Sequence, residues 1–245
     1  MLLSLVQLNA KWENPKANME RAANLLSGSP ASDLTIFPEM TLSGFSMDSV
    51  KTETKPEHDD FFSELAAGRG SAVIYGRVRN GSNCARVLSK TGEVLGEYRK
   101  RHLFAFAGED RHYKAGHEQP VAVDINGFRV TPLICYDLRF PYLFWDKAPE
   151  TDLFAVIANW PASRSVHWQT LLRARAIENQ AFTVGVNRTG DDPNVSYSGG
   201  SSVYSPSGEE VVVCGGEEGV FTAEISTGSV NSVREEYPFM KDRLR

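Results

Sequence analysis

The sequence predicts a layered α/β fold, and three observations predict it. Strand-like apolar runs alternate with helical segments along the chain. Two Asn-Gly pairs, Asn80-Gly81 and Asn126-Gly127, stand between strand-like runs as hairpin turns. No Gly/Ser/Pro-rich linker, low-complexity tract or internal repeat divides the 245 residues, so one domain over 1–245 is expected. A domain of that size buries roughly 70–75% of its unfolded surface.

A strand over 2–8 opens the chain, and a helix begins at Asn14-Pro15, where Asn caps and Pro fits the first turn. Met19, Ala22, Ala23 and Leu26 follow the i, i+3, i+4, i+7 spacing of one buried helical face. A strand over 34–37, a polar helix over 56–67 and a strand over 72–78 follow. The Asn80-Gly81 turn joins 72–78 to a strand over 85–89, and the Lys90-Thr91-Gly92 turn leads into a strand over 94–100. Asn126-Gly127 delivers the strand that carries Cys135. The second half reads as a strand over 153–157, a helix over 163–179 and strands over 182–186, 202–204, 211–214 and 220–225. The tail over 226–245, with paired Glu and closing Lys and Arg, either packs on a second subunit or frays.

Composition narrows the function classes. A hydrophobic fraction of 41% and a charged fraction of 23% are those of an ordinary globular protein. A net charge of −5, with one short basic run at Arg99-Lys100-Arg101, argues against a nucleic-acid partner. The apolar opening Met1–Val6 has neither a basic lead nor a small-residue cleavage site, and no stretch is long enough to cross a bilayer. Three scattered cysteines (Cys84, Cys135, Cys214) do not make a disulfide framework and fit a reducing cytoplasm. Cys84 and Cys214 lie in strand-like runs and read as core packing. His102, His112 and His167 are too dispersed for a zinc set, so no metal is expected; His102 reads as a structural histidine.

Three segments carry chemistry. Cys135 lies where the run Leu133-Ile134 meets Tyr136-Asp137-Leu138-Arg139-Phe140-Pro141, a strand entering a helical turn. The unpaired N–H groups of such a turn face whatever the sulfur attacks, which would favour a thiolate and stabilise an oxyanion. Thr35-Ile36-Phe37-Pro38-Glu39-Met40 is an apolar strand ending in an acid, and desolvated carboxylates suit general-base work. Lys100, in Glu97–Phe104, reads either as part of a solvated edge strand or as a compact cation for an oxyanion. Arg139 lacks the neighbouring glycines of a phosphate cradle and reads as a structural ion-pair partner, and Arg175 and Glu178 as a one-turn pair.

Glu39, Lys100 and Cys135, on three successive strand ends, resemble the carbon–nitrogen hydrolase (nitrilase) superfamily. The resemblance spans nearly the whole chain. It rests also on Gln7-Leu8-Asn9, Tyr98–Leu103, Cys135–Pro141, Asn159-Trp160-Pro161, Arg173–Gln180 and Asn187-Arg188. His102–Phe104, His112–Gly116 and Asn159–Ala162 look most like the omega-amidases, which hydrolyse the terminal amide of dicarboxylic acid monoamides such as 2-oxoglutaramate.

The resemblance implies a four-layer α-β-β-α sandwich, a homodimer and a small amide substrate, with no cofactor. It implies Cys135 as nucleophile, Glu39 as general base, and Lys100 with the Tyr136 N–H at the oxyanion. Glu109, four residues before Tyr113, matches the family's second glutamate, which fixes Lys100 or the substrate. Arg164 stands on a loop entering a helix N-terminus, either gripping a substrate carboxylate through paired hydrogen bonds or lying idle at the surface. Tyr113 and Trp160 are candidates for the pocket wall and equally for the core. The same machinery also serves deaminated glutathione, N-carbamoyl compounds, aliphatic amides and nitriles. All four polar residues are present, which argues against a catalytically silent interaction module.

Overall fold

The computed structural model describes residues 1–243. In chain order the first half contains β1 (Leu2–Gln7), α1 (Pro15–Ser27), β2 (Leu34–Ile36), α2 (Ser49–Thr52), α3 (Pro56–Arg69), β3 (Ala72–Arg79), β4 (Ser82–Leu88), β5 (Val94–Arg99) and α4 (Glu109–His112). Then come β6 (Val123–Ile125), β7 (Phe128–Ile134), α5 (Pro141–Lys147), β8 (Leu153–Ala158), α6 (Ser165–Asn179) and β9 (Phe182–Asn187). The chain closes with β10 (Thr189–Asp191), β11 (Ser196–Ser198), β12 (Ser202–Tyr204), β13 (Glu210–Val213), β14 (Gly219–Glu224) and α7 (Thr227–Glu236).

Two six-stranded mixed sheets, ordered β14-β1-β2-β3-β4-β5 and β13-β12-β9-β8-β7-β6, stack face to face. The two-residue period of a strand sorts its side chains between layers. Leu3, Leu5, Ile74, Ala85 and Val87 point between the sheets, where they meet side chains of the second sheet such as Val130, Ile134 and Val184. Val6, Val73, Tyr75 and Leu88 point outward, under Ala22 and Leu26 of α1 and Phe62 and Ala66 of α3. Trp168, Leu172 and Ala176 of α6 cover the outer face of the second sheet. The result is a four-layer α-β-β-α sandwich. Each fully buried Leu or Ile in it contributes roughly 1.5–3 kcal/mol of transfer free energy.

Local chemistry sets the element ends. The Asn14 side chain accepts from Ala17 N at 3.1 Å, capping α1. At both hairpin turns the pair has positive φ, +52° and +72° at Asn80-Gly81 and +51° and +80° at Asn126-Gly127, as a type I′ turn requires. On α1, Ala23 is exposed, contrary to the periodicity. The buried face runs instead through Asn18, Ala22 and Leu26. Asn18 is buried because its amide donates to the carbonyls of Lys11 and Leu42 and accepts from Lys11 N, a role that hydrophobic spacing does not reveal.

The tail is not frayed up to residue 243. Ser226 caps α7, Val230 is buried, and Arg234 donates to the carbonyls of Ala148, Thr151 and Gln180 of the same chain. Residues 244–245 of the expected 226–245 extension lie outside the described residues. No helix of the described residues is long and apolar enough to cross a membrane.

Candidate active site

Glu39, Lys100 and Cys135 do not sit on successive strands. They follow β2, β5 and β7, the first two in one sheet and the third in the other, so the site lies between the sheets at their strand ends. Each position has a local cause. Beyond β2, Met40 takes a φ of +45°, and Thr41 pairs with β3 through Thr41 N to Gly76 O and Gly76 N to Thr41 Oγ1. Gly76 permits this approach, since a Cβ there would lie 2.2 Å from Met40 N and 2.6 Å from Glu39 Cα. Lys100 continues β5, with its N–H on Asn83 O and its carbonyl accepting from Gly116 N. Alternation leaves Arg99 exposed and turns Lys100 inward, where it is wholly buried.

Cys135 occupies a strained elbow with φ of +44°, the first residue of a 3-10 turn over Cys135–Arg139. Asp137, fully buried, holds that elbow to the end of β5. It accepts from Ile134 N, His102 N and Tyr98 Oη and faces His102 Nδ1 at 2.9 Å. His102 is therefore structural, stacked on Phe140 at 3.6 Å between centroids. The leading N–H groups of a 3-10 turn have no partner inside it, and the Tyr136 N–H, next in the chain after Cys135, is one of them.

Behind the thiol is a buried charge cluster. Lys100 Nζ lies 2.7 Å from Glu39 Oε1 and 3.0 and 2.9 Å from the two oxygens of Glu109. Glu39 Oε2 accepts from Asn159 N at 2.9 Å, and Asn159 Nδ2 donates to Glu39 O at 2.7 Å. Glu109, first residue of α4, also accepts from Phe104 N at 2.6 Å. Burial pulls the Lys100 ammonium down, but Glu109 and Glu39 outweigh it and hold it above its ordinary range. Burial lifts Glu109, Lys100 pulls it back, and Glu39 adds to the rise, so its net direction is also upward. One cation gains from two anions, while Glu109 also feels Glu39.

The same burial opposes the thiolate that the turn geometry favours. Burial first, then Glu39, push the Cys135 thiol well above its ordinary value, and Lys100 only partly opposes them. Strand-end placement brings the sulfur to a cleft, while burial holds its pKa above the ordinary thiol value.

The cleft holds about 370 Å³, with Cys135, Tyr136 and Trp160 among its lining. Trp160 is fixed by its N–H on Asn187 Oδ1 and its indole N–H on Arg164 O. The Arg164 guanidinium stands over Phe104, 5.3 Å from the ring centroid, and faces the same space. Tyr113 does not line it. Its ring packs with Met40 and Val78, and its hydroxyl bonds to Ser46 O and Thr52 Oγ1, so it is a core residue behind Glu39.

Arg139 is likewise corrected: it forms no carboxylate pair among the described residues but lines the cleft over Trp160 at 4.9 Å, with His167 Nδ1 at 3.0 Å. Arg175 does pair with Glu178, at 2.7 Å. Sequence reasoning missed Asn83, Phe45 and the β10–β11 ribbon, which contributes Ser196 and Tyr197 to the cleft. The available signal for Asn83 was an amide at an inward position of β4, in register with Ala85 and Val87.

Comparison with known proteins agrees with this geometry. The Carbon-nitrogen hydrolase family matches residues 2–235. Omega-amidase YafV of Escherichia coli K12 is 38% identical over 247 residues, covering 98% of this chain and 95% of that protein. The 2-oxoglutaramate amidase of Bacillus subtilis is 31% identical over 98% of this chain and 96% of its own length. In structure, XC1258 of Xanthomonas campestris, a CN-hydrolase superfamily protein with an arsenic adduct in its active site, superposes with a TM-score of 0.93. It is 36% identical and covers all of this chain, which covers 97% of it. By sequence and by structure, this chain belongs to the carbon-nitrogen hydrolase family.

Proposed function

We propose that the protein is an omega-amidase: it hydrolyses the terminal amide of a small carboxylate-bearing amide, of the 2-oxoglutaramate or 2-oxosuccinamate type, to the acid and ammonia. The observation that carries the reading is one cleft with a thiol backed by a buried Glu–Lys–Glu cluster at one end and two guanidiniums, Arg139 and Arg164, in its lining that have no carboxylate partner among the described residues. The thiol suits acyl transfer, and the guanidiniums suit a substrate tail that is an anion. The names borne by the relatives at 31–38% identity support the same substrate class.

In this mechanism Glu39 takes the proton of Cys135 as the sulfur bonds to the amide carbon. The carbonyl electron pair moves to oxygen, where Lys100 and the Tyr136 N–H stabilise it. As the oxyanion collapses, the carbon–nitrogen bond breaks and Glu39 returns the proton to nitrogen, which leaves as ammonia. Glu39 then deprotonates water, which attacks the thioester; the carbon–sulfur bond breaks, the sulfur recovers a proton and the acid departs. Glu109 keeps Lys100 charged and in place, and Trp160 walls the acyl site. No step calls on a metal or organic cofactor.

The chain would act as one catalytic domain over 1–245, in the cytoplasm, where three free thiols stay reduced. A homodimer would cover Tyr142, Trp145, Ile177, Tyr237 and Phe239, exposed apolar side chains on α5, α6 and the tail. The deciding experiment is an ammonia-release screen of 2-oxoglutaramate, 2-oxosuccinamate, glutamine, deaminated glutathione, N-carbamoyl compounds and aliphatic amides. The 2-oxo-acid amides should give the highest kcat/KM. Preference for a neutral amide would refute the substrate assignment, and no turnover in the wild type with any of them would refute the activity.

A further inference from the structure

Asn83 is wholly buried on β4, on the face that carries Ala85 and Val87 into the space between the sheets. Its backbone carbonyl accepts from Lys100 N, so side chain and lysine enter the cluster from neighbouring strands. Its Nδ2 lies 2.8 Å from Glu39 Oε1 and 2.9 Å from Glu109 Oε1. Its Oδ1 has no partner among the described residues. The amide orientation follows from chemistry, because a flipped group would point oxygen at two carboxylates. Both N–H groups are thus committed to the carboxylates, while the carbonyl meets no donor among the described residues. For an amide that merely filled space, such an arrangement would be an unexplained cost.

The cluster explains it. Two carboxylates share one ammonium, so the buried site carries one excess negative charge. A neutral double donor between the two anions relieves their repulsion without adding a titrating group or neutralising Glu39. We propose that Asn83 is a positioning residue for hydrolysis, its amide bridging Glu39 and Glu109 so that the Glu39 carboxylate is held beside Cys135. The proposal rests on the reading of Glu39 as general base.

A carboxylate that loses a donor holds its proton more tightly, so removing the amide should move the acid limb of activity upward. The test is the pH profile of kcat/KM from about pH 5 to 9, by ammonia release from the best substrate of the screen. It compares wild type, Asn83→Ala, Asn83→Ser and Glu39→Gln, each first checked for a cooperative thermal melt. For Asn83→Ala the acid limb should rise by about one unit, a tenfold loss on that limb. KM should stay near the wild-type value and activity should recover towards alkaline pH. Asn83→Ser, which keeps one donor, should lie between, and it carries the same test should Asn83→Ala fail to fold. An unmoved acid limb with kcat lowered equally at every pH would make Asn83 a packing residue and overturn the proposal. Turnover by Glu39→Gln at the wild-type rate would instead refute the base assignment, so the two failures are separable.

Discussion

Lys100→Met tests the charge cluster as a whole. The ammonium is wholly buried within 3.0 Å of both Glu39 and Glu109. Methionine matches the lysine stem in length and apolar character, so the variant removes charge with little change in volume. Two buried carboxylates then face each other with no counter-ion. Breaking a buried pair in this way costs about 3–5 kcal/mol. In a chain of this size each kcal/mol is worth about 2–4 °C in Tm, so a loss of about 6–20 °C is expected.

The loss should depend on pH in a definite sense. Glu109 already holds its proton more tightly than an ordinary carboxylate, and without Lys100 that tendency grows. A carboxylate whose folded pKa is raised penalises folding above its unfolded pKa of about 4.3, and the penalty grows until pH passes the folded value. The gap in Tm between wild type and Lys100→Met should therefore widen as pH rises from about 5 to 8. Thermal melts across that range read it directly. Glu109→Gln added to Lys100→Met removes one of the two stranded charges and should recover part of the stability while leaving turnover absent. A gap that stays constant with pH, or a double variant less stable than the single one, would refute a shared-cation cluster.

Two further outcomes follow from the cleft and the thiol. Arg164→Ala should raise KM for carboxylate-bearing amides by about 10–100-fold, the loss of a charge-assisted hydrogen bond, and barely alter KM for neutral amides; equal losses in both classes would remove Arg164 from substrate binding. Iodoacetamide alkylation of Cys135, corrected with Cys135→Ala for Cys84 and Cys214 (both pushed up to about 12), should keep accelerating beyond about pH 9, because burial holds the thiol protonated. A plateau near neutral pH would mean a resting thiolate.

What the sequence made legible depended on whether a residue's role is stated within its own segment. The sandwich's elements were readable because alternation, caps and Asn-Gly turns are local properties: β3, β4 and the strand leading to Cys135 are fixed by the residues they contain. Glu39, Lys100 and Cys135 stood out through their motifs, yet their convergence depends on contacts no single segment encodes. Lys100 shows the limit. Three consecutive basic residues look solvated, and only strand alternation against a second sheet decides that the middle one is wholly buried while Arg99 is exposed.

Tyr113 shows the converse, since an aromatic beside a matched glutamate is drawn to the site by sequence proximity, while its hydroxyl is held by Ser46 and Thr52 far along the chain. Cys135 stands at the strand-to-turn junction its segment indicates; the turn's N–H groups that favour a thiolate are local, while the burial that pushes the thiol up is not. Asn83 was missed for the same reason: its meaning lies in a charge imbalance that exists only after Glu39, Lys100 and Glu109 have been brought together. A buried cluster with more acids than bases therefore calls for a neutral donor. The place to look for one in a sequence is an amide on the inward face of the strand paired with the lysine's own.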